Sequence, residues 1–101
     1  DIVKNVKTYI DRNYYRDISV EFVASLFHMN RSYLSHIFKK KQGKTFIDYL
    51  NLVRVEESKK LLKKSDKKLY QIAKAVGYDN VSYFCRVFKK LEQTTPEQYR
   101  G

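Results

Sequence analysis

The sequence predicts an all-α fold, and three features of the chain lead to that prediction. Apolar residues recur at helical spacing along most of the 101 residues, and no segment alternates convincingly between apolar and polar residues. One proline and three glycines leave little room for β-turns. Runs rich in lysine, leucine and glutamate have high helix propensity. We therefore expect seven helices.

The first three helices are predicted from apolar spacing and from their caps. A helix from residue 2 to about residue 13 places one apolar stripe at Ile2, Val3, Val6 and Ile10. Ser19 caps a short second helix whose apolar residues are Phe22, Val23, Leu26 and Phe27. Asn30 caps a third helix that runs to about Gln42, where Gly43 provides a natural stop.

Four more helices follow the first glycine. Thr45 and Asp48 fit a capping box that opens a long fourth helix, from Phe46 to about Lys64. Ser65 or Asp66 is expected to begin a fifth helix that ends at Gly77. Asn80 caps a sixth helix to about Glu92. A capping box with proline at the first helical position, "TPEQ" at residues 95–98, opens a short seventh helix.

Residues 30–49 and 80–99 form an internal repeat. At an offset of fifty, eight positions are identical, namely Asn30, Ser32, Tyr33, Phe38, Lys39, Lys40, Thr45 and Tyr49 and their counterparts Asn80, Ser82, Tyr83, Phe88, Lys89, Lys90, Thr95 and Tyr99. In the preceding short helix the offset is forty-nine, with Val23 and Ala24 matching Ile72 and Ala73, so the second turn holds one extra residue. Each copy is a short helix, a tight turn and a longer helix, which is helix-turn-helix spacing. The repeat predicts two structural modules, residues 1–44 and 65–101, joined by a linking helix at residues 45–64.

The longer helix of each copy separates into an apolar and a polar face. The predicted core stripes are Tyr33, Leu34, Ile37 and Phe38, and in the second copy Tyr83, Phe84, Val87 and Phe88. The opposite faces carry Arg31, Ser32, Ser35, His36 and Lys39, and in the second copy Val81, Ser82, Cys85, Arg86 and Lys89. Small, hydrogen-bonding and cationic side chains on an exposed helix suit insertion into the DNA major groove. In a single copy such a face would be explained equally well by simple solvation.

Net charge narrows the choice of partner. The chain carries 21 Lys and Arg against 11 Asp and Glu, a net charge of +10, which favours nucleic acid first and an acidic membrane second. No segment approaches the ~20 apolar residues of a membrane span. The single cysteine excludes an internal disulfide, so we expect a reducing, cytoplasmic location.

Catalysis and cofactors have no support in the sequence. There are no paired carboxylates, no Ser/His/Asp set and no glycine-rich phosphate loop. The two histidines, His28 and His36, have no cysteine or carboxylate at ligand spacing. We expect no catalytic residue, no metal site and no cofactor.

The linking helix sets the separation of the two longer helices. About twenty residues at ~1.5 Å each span roughly 30 Å. Major-groove faces on one side of B-DNA repeat at roughly 34–36 Å. One chain is therefore predicted to contact two adjacent groove segments of double-stranded DNA.

Nearly the whole chain resembles the DNA-binding domain of the AraC/XylS family of bacterial transcription regulators. The resemblance lies in "SYLSHIFKKKQGKTFIDYLNLVRVEESKKLL" and "IAKAVGYDNVSYFCRVFKKLEQTTPEQYR". The opening "VKTYIDRNYYRDISVEFVA" is similar to output domains of two-component response regulators in this family. The resemblance implies two helix-turn-helix subdomains (homeodomain-like three-helix modules), contact with RNA polymerase, and a receiver or ligand-binding domain N-terminal to Asp1, with no membrane partner.

Site residues follow from the resemblance position by position. The family's base-reading positions fall on Arg31, Ser32, Ser35 and His36, and on Val81, Ser82, Cys85 and Arg86. Arg86 is the leading candidate because a guanidinium can contact a guanine edge through two hydrogen bonds, worth ~1–3 kcal/mol of discrimination. Phosphate contacts are expected from Lys39, Lys40, Lys89, Lys90 and Arg100.

Several positions carry expectations of their own. Gln93 stands where the family commonly has glycine, so the sixth helix is expected to end differently and to shift the seventh. Val81 and Cys85 are apolar, which predicts a second helix that depends on Arg86 and DNA shape and is less selective. Cys85 beside Arg86 is either a reactive thiol or, as we prefer, a small residue tolerated against DNA. Arg54 and Glu57 are expected to form an i, i+3 ion pair.

One alternative function remains open. A non-specific binder of RNA, DNA or an anionic surface would also be basic, and the lysines of "KKLLKKSDKKL" at residues 59–69 would suit it. Such a protein would bind unrelated sequences equally, with an affinity controlled by salt alone.

Overall fold

The computed structural model describes residues 1–101 and contains seven α-helices and no β-strand, which confirms the predicted fold class. The helices are α1 (Ile2–Asn13), α2 (Val20–Leu26), α3 (Arg31–Gln42), α4 (Phe46–Lys64), α5 (Leu69–Ala75), α6 (Val81–Glu92) and α7 (Pro96–Arg100). No helix combines the length and the apolar character needed to cross a bilayer.

Two hydrophobic cores lie at opposite ends of α4. The first core packs α1, α2, α3 and the start of α4, and its buried residues are Val3, Val6, Ile10, Ile18, Val23, Ala24, Leu34, Phe38, Phe46 and Leu50. The second packs α5, α6 and the rest of α4, and its buried residues are Val55, Leu62, Ile72, Ala73, Val76, Tyr78, Phe84 and Phe88. Because α4 contributes to both cores, it joins two modules of similar design. We refer to them as the first and the second module.

The helix caps form at most of the predicted positions. Asn30 and Asn80 accept hydrogen bonds from the backbone N–H groups of Tyr33 and Tyr83, at 3.2 and 2.9 Å. Thr95 and Gln98 form the full capping box of α7. At α4 only half of the predicted box forms. Thr45 Oγ1 accepts from the backbone N–H of Asp48 at 3.1 Å, but no bond returns to Asp48, whose side chain is one methylene shorter than that of the usual glutamate.

The predicted limits of the fifth helix are wrong. Helix α5 begins at Leu69, after Lys68 as its N-cap, and ends at Ala75 rather than at Gly77. Ser65 instead belongs to the end of α4, where its hydroxyl donates to the carbonyl of Leu61 at 2.8 Å. A serine hydroxyl can donate to a carbonyl of the preceding helical turn or cap a following helix. Here it donates to the last turn of α4, so it does not cap α5.

The prediction that Gln93 changes the end of the sixth helix is also wrong. Gln93 adopts the left-handed conformation, with φ of 65°, as Gly43 does with φ of 76°. Both residues donate a backbone hydrogen bond of 2.8 Å to the carbonyl four residues earlier, that of Lys89 or Lys39. Helix α6 therefore ends as α3 does, and α7 follows in the expected place. A non-glycine residue in this conformation costs roughly 1–2 kcal/mol.

The predicted core stripes are narrower than expected. Leu34, Phe38, Phe84 and Phe88 are fully buried, as predicted. The two tyrosines, Tyr33 and Tyr83, are instead 55% and 42% exposed. Each lies about 100° around its helix from the neighbouring buried residue and so stays at the rim of its module, where the Tyr83 ring lies 5.8 Å from that of the buried Tyr78.

Candidate nucleic-acid interface

The turns that precede α3 and α6 are built alike. Four residues separate α2 from α3 and five separate α5 from α6, which confirms the extra residue in the second turn. In each turn a backbone N–H, that of Met29 or Tyr78, donates at 2.8 Å to the carbonyl of the small buried residue Ala24 or Ala73. Both longer helices are thus held against their short partners by the same local geometry. We call α3 and α6 the recognition helices.

Helix α3 exposes most of its predicted polar face. Arg31, Ser32, His36, Lys39 and Lys40 are exposed, and Ser35 is half-buried. Arg31 Nε lies 3.1 Å from Glu21 Oε2, with both side chains more than half exposed. Since such exposed pairs contribute only ~0–1 kcal/mol, the Arg31 guanidinium can exchange this carboxylate for another anion at little cost.

A groove of about 620 Å³ lies between α3 and the start of α4. Its lining combines cationic and hydroxyl groups with three apolar side chains, and consists of Val20, Arg31, Ser35, His36, Lys39, Lys40, Thr45, Phe46 and Ile47. Five of the predicted site residues are thus brought together on one concave surface.

Helix α6 exposes only part of its predicted face. Ser82, Arg86, Lys89 and Lys90 are exposed, and the guanidinium of Arg86 lies 5.8 Å from the centre of the Tyr83 ring. Val81 and Cys85, in contrast, are half-buried and pack against the second core. Of the four base-reading positions predicted in α6, Ser82 and Arg86 are thus exposed, whereas Val81 and Cys85 are only partly exposed.

The environment of Cys85 does not favour a reactive thiol. Burial, and secondly the negative charge of Glu97, raise the pKa of the Cys85 thiol above its ordinary value. Since the thiolate is the reactive form, the raised pKa argues against a reactive thiol, and the role of a small residue tolerated against DNA stays a prediction.

A second, smaller groove of about 310 Å³ lies between α4 and α6. Its lining is Ile47, Asp48, Asn51, Tyr83, Arg86, Val87, Lys90 and Leu91. Ile47, which is 48% exposed, lines both grooves, so the two recognition helices flank the first turns of α4. The site predicted from the sequence did not include Ile47, Asp48 and Asn51 of α4. Ile47 could have been noticed, because an apolar residue directly after the buried Phe46 points away from the core and is exposed.

The recognition helices carry cations that no carboxylate neutralises. The ion pairs of the molecule involve Arg31, Lys41, Lys59 and Lys60. Lys39, Lys40, Lys89 and Lys90 are exposed and have no carboxylate oxygen within 4.0 Å. The positive charge of the last turns of α3 and α6 is therefore available to a polyanion.

Two arginines have main-chain partners that the sequence did not indicate. Arg100, expected to contact phosphate, donates to the carbonyls of Leu62 and Ser65 at 3.1 and 3.2 Å and so satisfies the end of α4. The predicted ion pair of Arg54 with Glu57 is wrong. Arg54 is 8% exposed and donates to backbone carbonyls, whereas Glu57 pairs with Lys60 at 2.8 Å.

The chain is similar to regulators from several bacteria. It is 40% identical over 95 residues to the uncharacterised HTH-type transcriptional regulator YijO of Escherichia coli, and 38% identical over 98 residues to the regulatory protein PocR of Salmonella typhimurium. These alignments cover 94% and 97% of this chain, but only 34% and 32% of the two relatives. The chain thus spans about a third of their length.

Solved structures show the same fold. The C-terminal domain of AraT, a response regulator from Geobacillus stearothermophilus, has a TM-score of 0.94 and 35% identity, over 98% of this chain and 83% of that one. The C-terminal domain of the response regulator yesN from Fusobacterium nucleatum has a TM-score of 0.92 and 36% identity, over 97% and 96%. The DNA-binding domain of AdpA, solved in complex with a target DNA, shares the fold at 22% identity, with a TM-score of 0.92 over 99% and 90%.

A family model agrees with these relationships. The model described as "Helix-turn-helix domain" matches residues 23–101, which include α3 to α7 and most of α2. Together with the two matching modules and the shared fold, this match places the chain in the AraC/XylS family of helix-turn-helix transcription regulators.

Proposed function

We propose that this chain binds double-stranded DNA sequence-specifically, as the output domain of a bacterial transcription regulator. One observation carries the proposal: two modules of the same design present α3 and α6 with exposed hydrogen-bonding side chains and unneutralised lysines, on either side of the first turns of α4. A single basic helix could bind any polyanion. Two matching helices held at a set separation suit a polyanion whose binding surface repeats at regular intervals, as the major groove of DNA does.

The dimensions of the molecule suit two successive major-groove segments. The domain measures 42 by 22 by 21 Å, so its long axis exceeds the roughly 34–36 Å of one DNA turn. The two recognition helices flank the same first turns of α4, so their separation is set across this helix and not, as the sequence predicted, by its length of about 28 Å (19 residues at ~1.5 Å each). We infer that the domain lies along one face of the duplex and inserts both recognition helices.

The exposed polar residues of the recognition helices receive separate roles. We assign base contacts to Arg31, Ser32, Ser35 and His36 in α3, and to Ser82 and Arg86 in α6, with Val81 and Cys85 close enough to contact thymine methyl groups at the edge. We assign phosphate contacts to Lys39, Lys40, Lys89 and Lys90, whose exposed ammonium groups suit that role. We assign no phosphate contact to Arg100, because two of its N–H groups donate hydrogen bonds to main-chain carbonyls.

The wider role rests on the relatives. YijO and PocR are about three times as long as the segment that matches this chain, and AraT and yesN are response regulators of which the matching part is the C-terminal domain. We propose that the present domain likewise acts beside a receiver or ligand-binding domain, and that it positions RNA polymerase at a promoter.

Selection from a random duplex library tests the proposal. The domain is incubated with the library at near-physiological salt, and bound duplexes are sequenced. We expect two enriched blocks centred about one helical turn, ~10 base pairs, apart. No enrichment, together with binding that disappears as salt rises, would support the non-specific alternative instead.

Two variants separate base contacts from phosphate contacts. Arg86→Ala should relax preference at one base position, at a cost of ~1–3 kcal/mol for the preferred sequence. Lys40→Ala is the matched comparison, because it removes an exposed cation expected to contact phosphate, and should weaken all sequences alike. An unchanged preference after Arg86→Ala would contradict the role assigned to that side chain.

A further inference from the structure

Arg54 lies where the two modules meet. Its guanidinium, on the middle of α4, donates from Nε to the carbonyl of Tyr14 at 2.8 Å and from Nη2 to the carbonyl of Arg16 at 2.9 Å. Both carbonyls belong to the connection between α1 and α2 of the first module. The same guanidinium lies 5.1 Å from the centre of the Tyr78 ring, in the turn between α5 and α6 of the second module. One side chain of α4 therefore contacts two separate parts of the chain, one in each module.

Gly77 brings the second module directly against this contact. A Cβ atom at Gly77 would lie 2.7 Å from Arg54 Nε and 2.7 Å from the carbonyl oxygen of Tyr14. The corresponding residue of the first module is His28, which has a side chain and a φ of 56°. The turn thus accepts a side chain in one module, whereas in the other a φ of 110° and the close approach of Arg54 both exclude one. The difference between the copies marks a contact that only the second turn makes.

Arg54 is a costly choice if it serves packing alone. It is 8% exposed, no carboxylate oxygen lies within 4.0 Å of it, and the negative charges of Asp17 and Asp79 act on it only from beyond that distance. An apolar side chain of similar size would fill the space without desolvating a charge, and such replacements are often neutral or stabilising. What an apolar side chain does not provide is the pair of N–H donors that ties the α1–α2 connection to α4.

A line of ring contacts continues from Arg54 to α6. The Tyr78 ring lies 5.8 Å from the ring of Tyr83, and the Tyr83 ring lies 5.8 Å from the guanidinium of Arg86. The hydroxyl of Tyr78 also donates to Asn51 Oδ1 at 2.6 Å, which ties the same turn to α4 a second time. The turn before α6 is thus tied to α4, and through Arg54 to the first module.

We propose that Arg54 is a positioning residue that holds the two modules in one relative orientation and so makes the domain selective for the spacing between its two base blocks. The inference rests on the proposed DNA-binding function. Each added base pair moves the second block by about 35° around the duplex axis, because one turn contains ~10–10.5 base pairs. Two modules held rigidly cannot both contact their blocks after that rotation, so they bind the altered spacing more weakly. Two modules free to reorient can still contact both blocks.

The experiment compares spacing preference in wild type and in Arg54→Met, which keeps a long apolar side chain and removes the donors. Affinity is measured by fluorescence anisotropy for duplexes that carry the two selected blocks at the selected spacing, with one or two base pairs added or removed, and for a duplex with a single block. In Arg54→Met we expect the ratio of affinities between the selected and altered spacings to fall by about tenfold, or about 1.4 kcal/mol. Affinity for the single block should not change.

Ser58→Ala is the matched control. Ser58 is buried one turn further along α4, and its hydroxyl donates only to the carbonyl of Val55 in the same helix. Its variant should keep the spacing ratio of the wild type. Arg54→Lys provides a second test, because it keeps the charge but not the two-donor geometry, and should lower the ratio as well.

A measurement without DNA keeps the inference testable if binding is weak. Spin labels at Ser25→Cys and Lys74→Cys, one exposed site in each module, are introduced together with Cys85→Ser, and their distance distribution is measured. We expect one narrow distribution while Arg54 is present, and a broader one when Arg54→Met is added to the same labelled background.

The outcomes separate this inference from the proposed function. If wild type selects no paired blocks, the proposed function fails. The distances between the spin labels still test whether Arg54 holds the two modules in one relative orientation. If wild type discriminates spacings and folded Arg54→Met does so equally, the inference is overturned. An equal loss of affinity for every duplex, including the one with a single block, would also overturn the inference. That result would mean that Arg54 only stabilises the fold.

Discussion

Replacing Gly77 by alanine should destabilise the domain far more than the same change at Gly43. Both glycines have positive φ, of 110° and 76°, so alanine is strained at each. The surroundings differ. A Cβ at Gly43 would meet no atom within 4 Å, whereas at Gly77 it would lie 2.7 Å from Arg54 Nε, 2.9 Å from Arg54 Cζ and 2.7 Å from the carbonyl oxygen of Tyr14.

The expected free energies follow from these two effects. The backbone strain alone is worth about 1–3 kcal/mol, and this is the whole cost expected at Gly43. At Gly77, overpacking against a buried guanidinium and a main-chain carbonyl adds about 1–3 kcal/mol. The total of about 2–6 kcal/mol is a large part of the ~5–15 kcal/mol by which domains are ordinarily stable.

Urea denaturation followed by far-UV circular dichroism measures the free energy of unfolding of wild type and both variants. The double variant Arg54→Met with Gly77→Ala adds a second comparison, because removing the guanidinium should relieve part of the clash and make the two changes non-additive. Equal destabilisation by Gly77→Ala and Gly43→Ala would refute the reasoning, as would strict additivity with Arg54→Met.

Two further predictions concern single residues. Gln93→Gly should raise the free energy of unfolding by up to about 1 kcal/mol, because glycine relieves the left-handed strain at this helix end; a loss of stability in urea denaturation would contradict this. Burial, and the hydrogen bond that Tyr49 donates to Asp11 Oδ1 at 2.8 Å, raise the pKa of Tyr49 to about 12. Since the folded pKa lies above the ordinary value of ~10, this contribution to stability is complete below pH ~10 and is lost as the pH rises towards the folded pKa. The free energy of unfolding of wild type should therefore fall more steeply than that of Tyr49→Phe over this pH range, and parallel profiles would rule out the contribution.

Most helix limits could be predicted because they depend on neighbours in sequence. Asn30, Asn80 and Thr95 cap the helices that follow them through backbone groups two or three residues away, and apolar spacing identified the buried phenylalanines. The fifth helix was misplaced because Ser65 had two local partners available, and the sequence does not show which one it takes. The two-module organisation followed from the repeat alone.

The candidate site was predicted less completely than the fold. Both recognition helices and the exposure of Arg31, His36 and Arg86 follow from helical periodicity. The partial burial of Val81 and Cys85 depends instead on packing against the second core. Likewise, the first turns of α4 line both grooves only because the modules fold back on either side of them.

By itself, the sequence determined the helical class, the duplicated helix-turn-helix pattern, the positive charge and the family, since each depends on residue type and on spacing along the chain. The tertiary structure alone decided how the modules are joined. Arg54 stands three residues before Glu57, and local rules predict an ion pair between them. Its actual partners are the carbonyls of Tyr14 and Arg16, which are 40 and 38 residues away in the sequence. Contacts over such separations form only when the helices pack, because packing alone brings those backbone groups within hydrogen-bonding distance.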